Sequence, residues 1–89
     1  MKIKLELFGA SRDFSNKEFL EFNIKQKTEI KDFRKEVINY LDKNFKGNEN
    51  FIKIVKNSVF CSEDNNIVSD DFKIIKDQKI GIIPPIGGG

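Results

Sequence analysis

Lys79-Ile80-Gly81-Ile82-Ile83-Pro84-Pro85 is the stretch that decides the fold. Residues 80–83 offer no polar side chain to either face of an extended chain, the composition of a strand covered on both sides in the interior of a sheet. Two prolines then stop it, because each lacks a ladder donor and fixes φ, and the chain must leave the sheet in an extended direction. Ile86-Gly87-Gly88-Gly89 follow. Residues 84–89 reach roughly 20 Å when fully extended. The glycines project nothing larger than hydrogen, so the segment suits a narrow slot in another protein. The reading is an interior strand with an aimed exit, and a bare glycine carboxylate at the tip.

Working outward, the sheet needs partners for that strand. Residues 2–8 alternate, with Ile3, Leu5 and Leu7 on one face and Lys2, Lys4 and Glu6 on the other, the period of a half-buried strand. Gly9-Ala10-Ser11-Arg12-Asp13 breaks it, and Phe19 to Ile24 resumes the alternation with Leu20, Phe22 and Ile24 together. These two segments predict an antiparallel hairpin. Thr28 is placed to cap a helix, with Glu29 and Asp32 in the first turn where the macrodipole favours carboxylates. Ile30, Phe33, Val37, Tyr40 and Leu41 recur at three and four, predicting a helix over 29–43 that lies on the sheet. Residues 44–50 read as a polar loop. Phe51-Ile52-Lys53-Ile54-Val55 and Ser58-Val59-Phe60-Cys61, with Lys56-Asn57 between them, read as a hairpin or as one strand bending through a turn. Two strands, one long helix and further strands ending in a central one make an α+β architecture, a mixed sheet with one main helix packed across it. Ubiquitin-like β-grasp is the natural candidate.

Composition excludes several classes of chemistry. Eighty-nine residues form a single domain, 1–89, with room for one small core and no deep internal active site. With one cysteine and no histidine, the chain has no intramolecular disulfide, no Ser-His or Cys-His couple and no imidazole ligand, so no metal site is expected. Sixteen basic and fourteen acidic residues are interspersed, and the short lysine runs lack the aromatics that would stack bases, so neither nucleic acid nor membrane is an expected partner. A signal peptide and a long apolar run are both absent from the sequence, and the expected location is cytoplasmic. Phe8, Phe60 and Phe72 are expected in the core, Arg12 on a loop, and Cys61 as a buried, inert thiol.

Both ends of the chain carry a resemblance. Leu7-Phe8-Gly9-Ala10-Ser11-Arg12-Asp13 resembles the exit of the first strand in the small, sulfur-carrier subunit of molybdopterin synthase. Residues 80–89 are similar to that family's final strand, double proline, aliphatic residue and terminal Gly-Gly, and Val55-Lys56-Asn57 stands where the family often has an Asn at a turn. The Pro-Pro pair sets it above the related thiamine-pathway carrier and the ubiquitin-related modifiers, which share the Gly-Gly end. Asp77-Gln78 replaces the usual Gly-Asp turn, and the net charge of +2 contrasts with carriers that are often acidic.

The resemblance implies a function. Gly89, supported by Gly88, would be adenylated at its carboxylate by a ubiquitin-activating-type enzyme using ATP, then converted to a thiocarboxylate. Pro84, Pro85, Ile86 and Gly87 would aim and anchor the tail, residues 84–89, in the large subunit of molybdopterin synthase. There sulfur would pass to cyclic pyranopterin monophosphate on the way to the molybdenum or tungsten cofactor. The chain would bind no cofactor of its own and would not be catalytic alone. Alternatives are a carrier for thiamine or tRNA thiolation, a ubiquitin-like protein modifier, or, from another class, a β-grasp interaction module with a flexible glycine tail.

Overall fold

The structure, a computed structural model, describes residues 1–46 and 48–85. Strand β1 (Lys2–Leu7) leads into a 3₁₀ helix (Gly9–Phe14), then β2 (Phe19–Asn23), the short β3 (Thr28–Glu29), helix α1 (Ile30–Asn44), helix α2 (Glu49–Asn57), and strands β4 (Val59–Cys61), β5 (Ile67–Val68), β6 (Lys73–Ile74) and β7 (Gln78–Ile83). Five of these strands form one mixed sheet in the order β2-β1-β7-β4-β5, and β3 pairs with β6 in a separate two-stranded ribbon.

The expected hairpin is present, with β1 and β2 antiparallel from Lys2↔Asn23 to Glu6↔Phe19. β7 is interior as its composition requires, parallel to β1 through Leu5↔Ile80 and antiparallel to β4 through Phe60↔Ile82. Ile80 and Ile82 face the core, where they meet Ile3, Leu5, Leu7, Phe60 and the α1 side chains Ile30, Phe33, Val37 and Leu41, all buried. Helix α1 thus lies on the sheet by the stripe read from its sequence, and Phe33 sets its ring edgewise against Phe22 and Phe60 at centroid distances of 5.4 and 6.0 Å.

Gly81 faces the other side of the sheet. A Cβ there would stand 2.6 Å from Cys61 Sγ and 3.1 Å from Phe8 Cε2, so Cys61 and Phe8 meet over the strand where a side chain would otherwise project. This contact seals β7 from outside and leaves Cys61 buried. Phe8 accordingly caps the outer face and is not part of the core; Phe60 is a core residue, and Phe72 is half-buried against the core. Gly81→Ala is expected to cost about 1–3 kcal/mol, the range for overpacking a filled site. Part of that loss should return when Cys61→Ala is added, since the sulfur is the nearer obstacle. Urea unfolding of the two single variants and the double variant measures the coupling, and strict additivity would remove this account of Gly81.

Three local expectations are corrected. The polar loop is shorter than 44–50, since α1 runs to Asn44 and α2 starts at Glu49. Residues 51–55 are not extended: they belong to α2, and Lys56 and Asn57 are its last residues, not a turn. Asn48 starts this helix, its Oδ1 accepting from the Phe51 amide at 3.0 Å. Phe51 and Val55, four apart, turn inward, and the Phe51 ring packs on Phe14 and Phe45 at 5.0 and 5.1 Å. A helix at this point buries the same apolar residues on one stripe while satisfying its own backbone. Thr28 does not cap α1. Thr28 and Glu29 pair with β6 instead, Glu29 occupies the N-cap position without a side-chain bond, and the first amides, of Ile30 and Lys31, donate to the carbonyls of Phe72 and Asp70, each at 3.0 Å. Backbone from a distant loop does the work expected of a hydroxyl.

Arg34 ties the two helices together. Its guanidinium donates to the carbonyls of Val55 at 2.8 Å and Ser58 at 2.7 Å, pairs with Asp70 at 3.0 Å, and lies 4.8 Å from the Phe60 ring centroid. A planar fork can serve two carbonyls, a carboxylate and an aromatic face together, which a lysine cannot.

Candidate functional site

The site is the place where the chain leaves the sheet. β7 ends at Ile83, Pro84 is buried, and Pro85 is exposed. Gly9 turns away from β1 with φ +56°, a left-handed conformation that suits glycine, and a Cβ on it would be 3.9 Å from Pro84 Cδ. The 3₁₀ helix therefore begins directly beside the first proline. On the other side stands α2. Ala10, Asn50, Lys53, Ile54, Asn57, Pro84 and Pro85 enclose a small cleft of about 140 Å³ at the root of the tail. Of the expected site residues, Pro84 and Pro85 are thus brought together with the 3₁₀ helix and α2, while Ile86, Gly87, Gly88 and Gly89 lie outside the described residues.

Helix α2 closes its own C-terminal end. The Lys53 carbonyl accepts from Asn57 Nδ2 at 2.9 Å, the Ile54 carbonyl from Ser58 Oγ at 2.6 Å, and the Val55 carbonyl from Arg34 and from the Ser58 amide at 3.3 Å. Two of the last four carbonyls, those of Ile54 and Val55, are therefore satisfied by side chains.

The outer face of the sheet divides into two halves. Over β1 and β2 it is charged, with Lys79 3.4 Å from Glu6 and the Lys4 ammonium 4.1 Å from the Phe19 ring centroid. Past Lys79, over the end of β7 and over β4 and β5, it is apolar: Val59, opposite Ile83, is 42% exposed, and Ile67, opposite Cys61, is 71% exposed. This apolar half borders the tail root at Ile83. Arg12 is exposed on the 3₁₀ helix, as its loop assignment leads one to expect, and has no ion-pair partner among the described residues. Among the described residues, no group of three or more His, Cys, Asp or Glu is placed to hold a metal ion, and no helix is long and apolar enough to cross a membrane.

No family model and no curated protein sequence matches the chain. Solved structures do. A protein assigned as molybdopterin converting factor, subunit 1, from Pyrococcus furiosus superimposes with a TM-score of 0.69 at 17% identity, covering 96% of this chain and 98% of the other. SAMP1 from Haloferax volcanii superimposes with a TM-score of 0.68 at 10% identity, covering all of both chains. The chain is a β-grasp protein. Both neighbours span the β-grasp from end to end, and the β-grasp anticipated from the strand and helix pattern of the sequence is the fold found. What the sequence did not disclose is the ledge that α2 adds to the β-grasp beside the tail. Its signal was present in Asn48 as a cap and in Phe51, Ile54 and Val55 at spacings of three and four, but the short β-branched run concealed it.

Proposed function

We propose that this protein is the sulfur-carrier subunit of molybdopterin synthase, and that the Gly89 carboxylate is its reactive group. The observation that carries the reading is the mounting of the tail: an interior strand, sealed by Phe8 and Cys61 over Gly81, delivers a buried Pro84 and an exposed Pro85 at the edge of a β-grasp body, directly before Ile86-Gly87-Gly88-Gly89. A carboxylate is inert to nucleophiles. Attack of its oxygen on the α-phosphate of ATP expels pyrophosphate and forms an acyl-adenylate, and attack of sulfide (HS⁻) on that carbonyl expels AMP, releases the sulfur-bound proton and leaves a thiocarboxylate. An activating enzyme supplies the ATP site and the large synthase subunit supplies the site at which sulfur passes to cyclic pyranopterin monophosphate. The carrier's own contribution is position: a sulfur held at the end of a fixed strand acts at high effective concentration. The rigid body and the Pro-Pro exit are the parts of the chain that supply it.

Intact-mass measurement of the protein isolated from its native host tests the reading. The expected species gains the mass difference of one oxygen replaced by sulfur, on the fragment containing Gly89. Larger covalent conjugates through that carboxylate would instead make the chain a protein modifier. An unmodified mass in cells that are making molybdopterin would make it an interaction module. A thiocarboxylate that persists and transfers to a thiamine precursor or a tRNA would leave the carrier chemistry and replace its acceptor.

A further inference from the structure

Among the described residues, neither lysine of α2 has an ion-pair partner. Lys53 and Lys56 are exposed near the C-terminal end of the helix, where cations commonly serve to complement the macrodipole. That end is already served: Arg34 covers the Val55 and Ser58 carbonyls, Ser58 Oγ covers Ile54 and Asn57 Nδ2 covers Lys53. Ion pairs among the described residues join Lys31 to Glu29, Arg34 to Asp70, Lys35 to Asp32 and Lys79 to Glu6, and none involves Lys53 or Lys56. The cleft at the tail root is lined by apolar groups, two amides and a single charge, that of Lys53; no carboxylate lines it. Pro84 and Pro85 form its other wall, so the cleft adjoins the root from which residues 86–89 follow.

We infer that the α2 ledge is a docking surface for an acidic segment of the activating enzyme, with carboxylates of that enzyme meeting Lys53 and Lys56 while the tail enters its ATP site. The inference rests on the proposed carrier function and names the electrostatic character of its partner. Charges at the rim of an interface chiefly govern the rate of encounter and its salt dependence, so the effect belongs in the KM for the carrier and not in the turnover of bound carrier.

ATP–pyrophosphate exchange with the ubiquitin-activating-type enzyme encoded in the same genome provides the test, with the carrier titrated at low and high ionic strength. A Lys53→Glu/Lys56→Glu variant is expected to raise KM about tenfold at low salt with kcat unchanged, and the difference from the unaltered protein should shrink as salt screens it. A Lys25→Glu/Lys27→Glu variant makes the same change in net charge on a separate cleft, of about 740 Å³, at the β2–β3 loop, and should leave KM within about twofold. Both variants should remain folded, because all four lysines are exposed, with a small loss of melting temperature in the α2 variant, where two carboxylates oppose the helix macrodipole. A native KM in the α2 variant, or an equal rise in both variants, overturns the ledge while leaving the carrier reading in place. Absence of exchange with the unaltered protein overturns the carrier reading and the ledge with it.

Discussion

Deleting Gly89, or adding one residue after it, is expected to lower ATP–pyrophosphate exchange by at least about a hundredfold, since a misplacement of about 1 Å at a reacting centre carries that cost and one residue moves the end by several times as much. The proposed reaction requires the carboxylate oxygen to approach the α-phosphate within about 3 to 3.5 Å. The opposite end of the tail cannot slide to compensate. Pro84 is buried beside Gly9, and β7 is held on both sides by β1 and β4, so the origin of the tail is fixed by the sheet. The body should be indifferent to the change, because among the described residues the buried core cluster lies within 3–82. Unchanged melting temperature together with lost exchange is therefore the expected pair of results. Exchange at the native rate in the protein lacking Gly89 would exclude the carboxylate as the group activated.

Phe60→Ala should bring the domain close to unfolding. Phe60 is fully buried on β4, its ring tilted 65° against Phe33 and lying 4.8 Å from the Arg34 guanidinium carbon. Truncating a buried Phe to Ala costs about 3–5 kcal/mol, a large share of the about 5–15 kcal/mol that holds a domain together. The loss reaches beyond the cavity. Without the ring, the guanidinium that joins α1, α2 and Asp70 loses one of the surfaces that orient it. A fall in melting temperature of more than about 12 °C follows for a domain of this size. Urea or thermal unfolding checks it, and a loss below about 1 kcal/mol would contradict the placement of Phe60 at the centre of the core.

The comparison of sequence with structure separates two kinds of information. Strand β1, helix α1 and strand β7 were legible because each carries a periodicity imposed by the surface it buries: alternate residues in β1, threes and fours in α1, and unbroken apolarity in β7. The Pro-Pro exit was legible because proline acts through its own backbone. Helix α2 was not, since Phe51-Ile52-Lys53-Ile54-Val55 satisfies a strand reading and a helix reading equally, and the contacts that decide between them, Phe51 on the distant Phe14 and on Phe45 across the preceding loop, are tertiary. Thr28 failed as a cap for a related reason. Local chemistry favours its hydroxyl, yet the carbonyls of Asp70 and Phe72 reach the same amides. The candidate site divides in the same way. Pro84 and Pro85 were named from the sequence, whereas the helical ledge opposite them depends on packing that no single segment encodes.

The position of β7 also bears on how the protein is made. Synthesis proceeds from β1 onward, and β7 follows every other element in the chain, yet it occupies the place between β1 and β4. Until residue 83 is available, the strands on either side of that gap present unpaired edges, and pairing of Ile3 with Gln78 must close nearly the whole chain into one loop. A nascent or prematurely terminated chain therefore cannot complete the sheet. Residues 84 and 85 follow directly on the strand that completes it, so a protein that displays them in the arrangement described here has already folded. Completion of the sheet and presentation of its exit are a single event, set by the order in which the strands are synthesised.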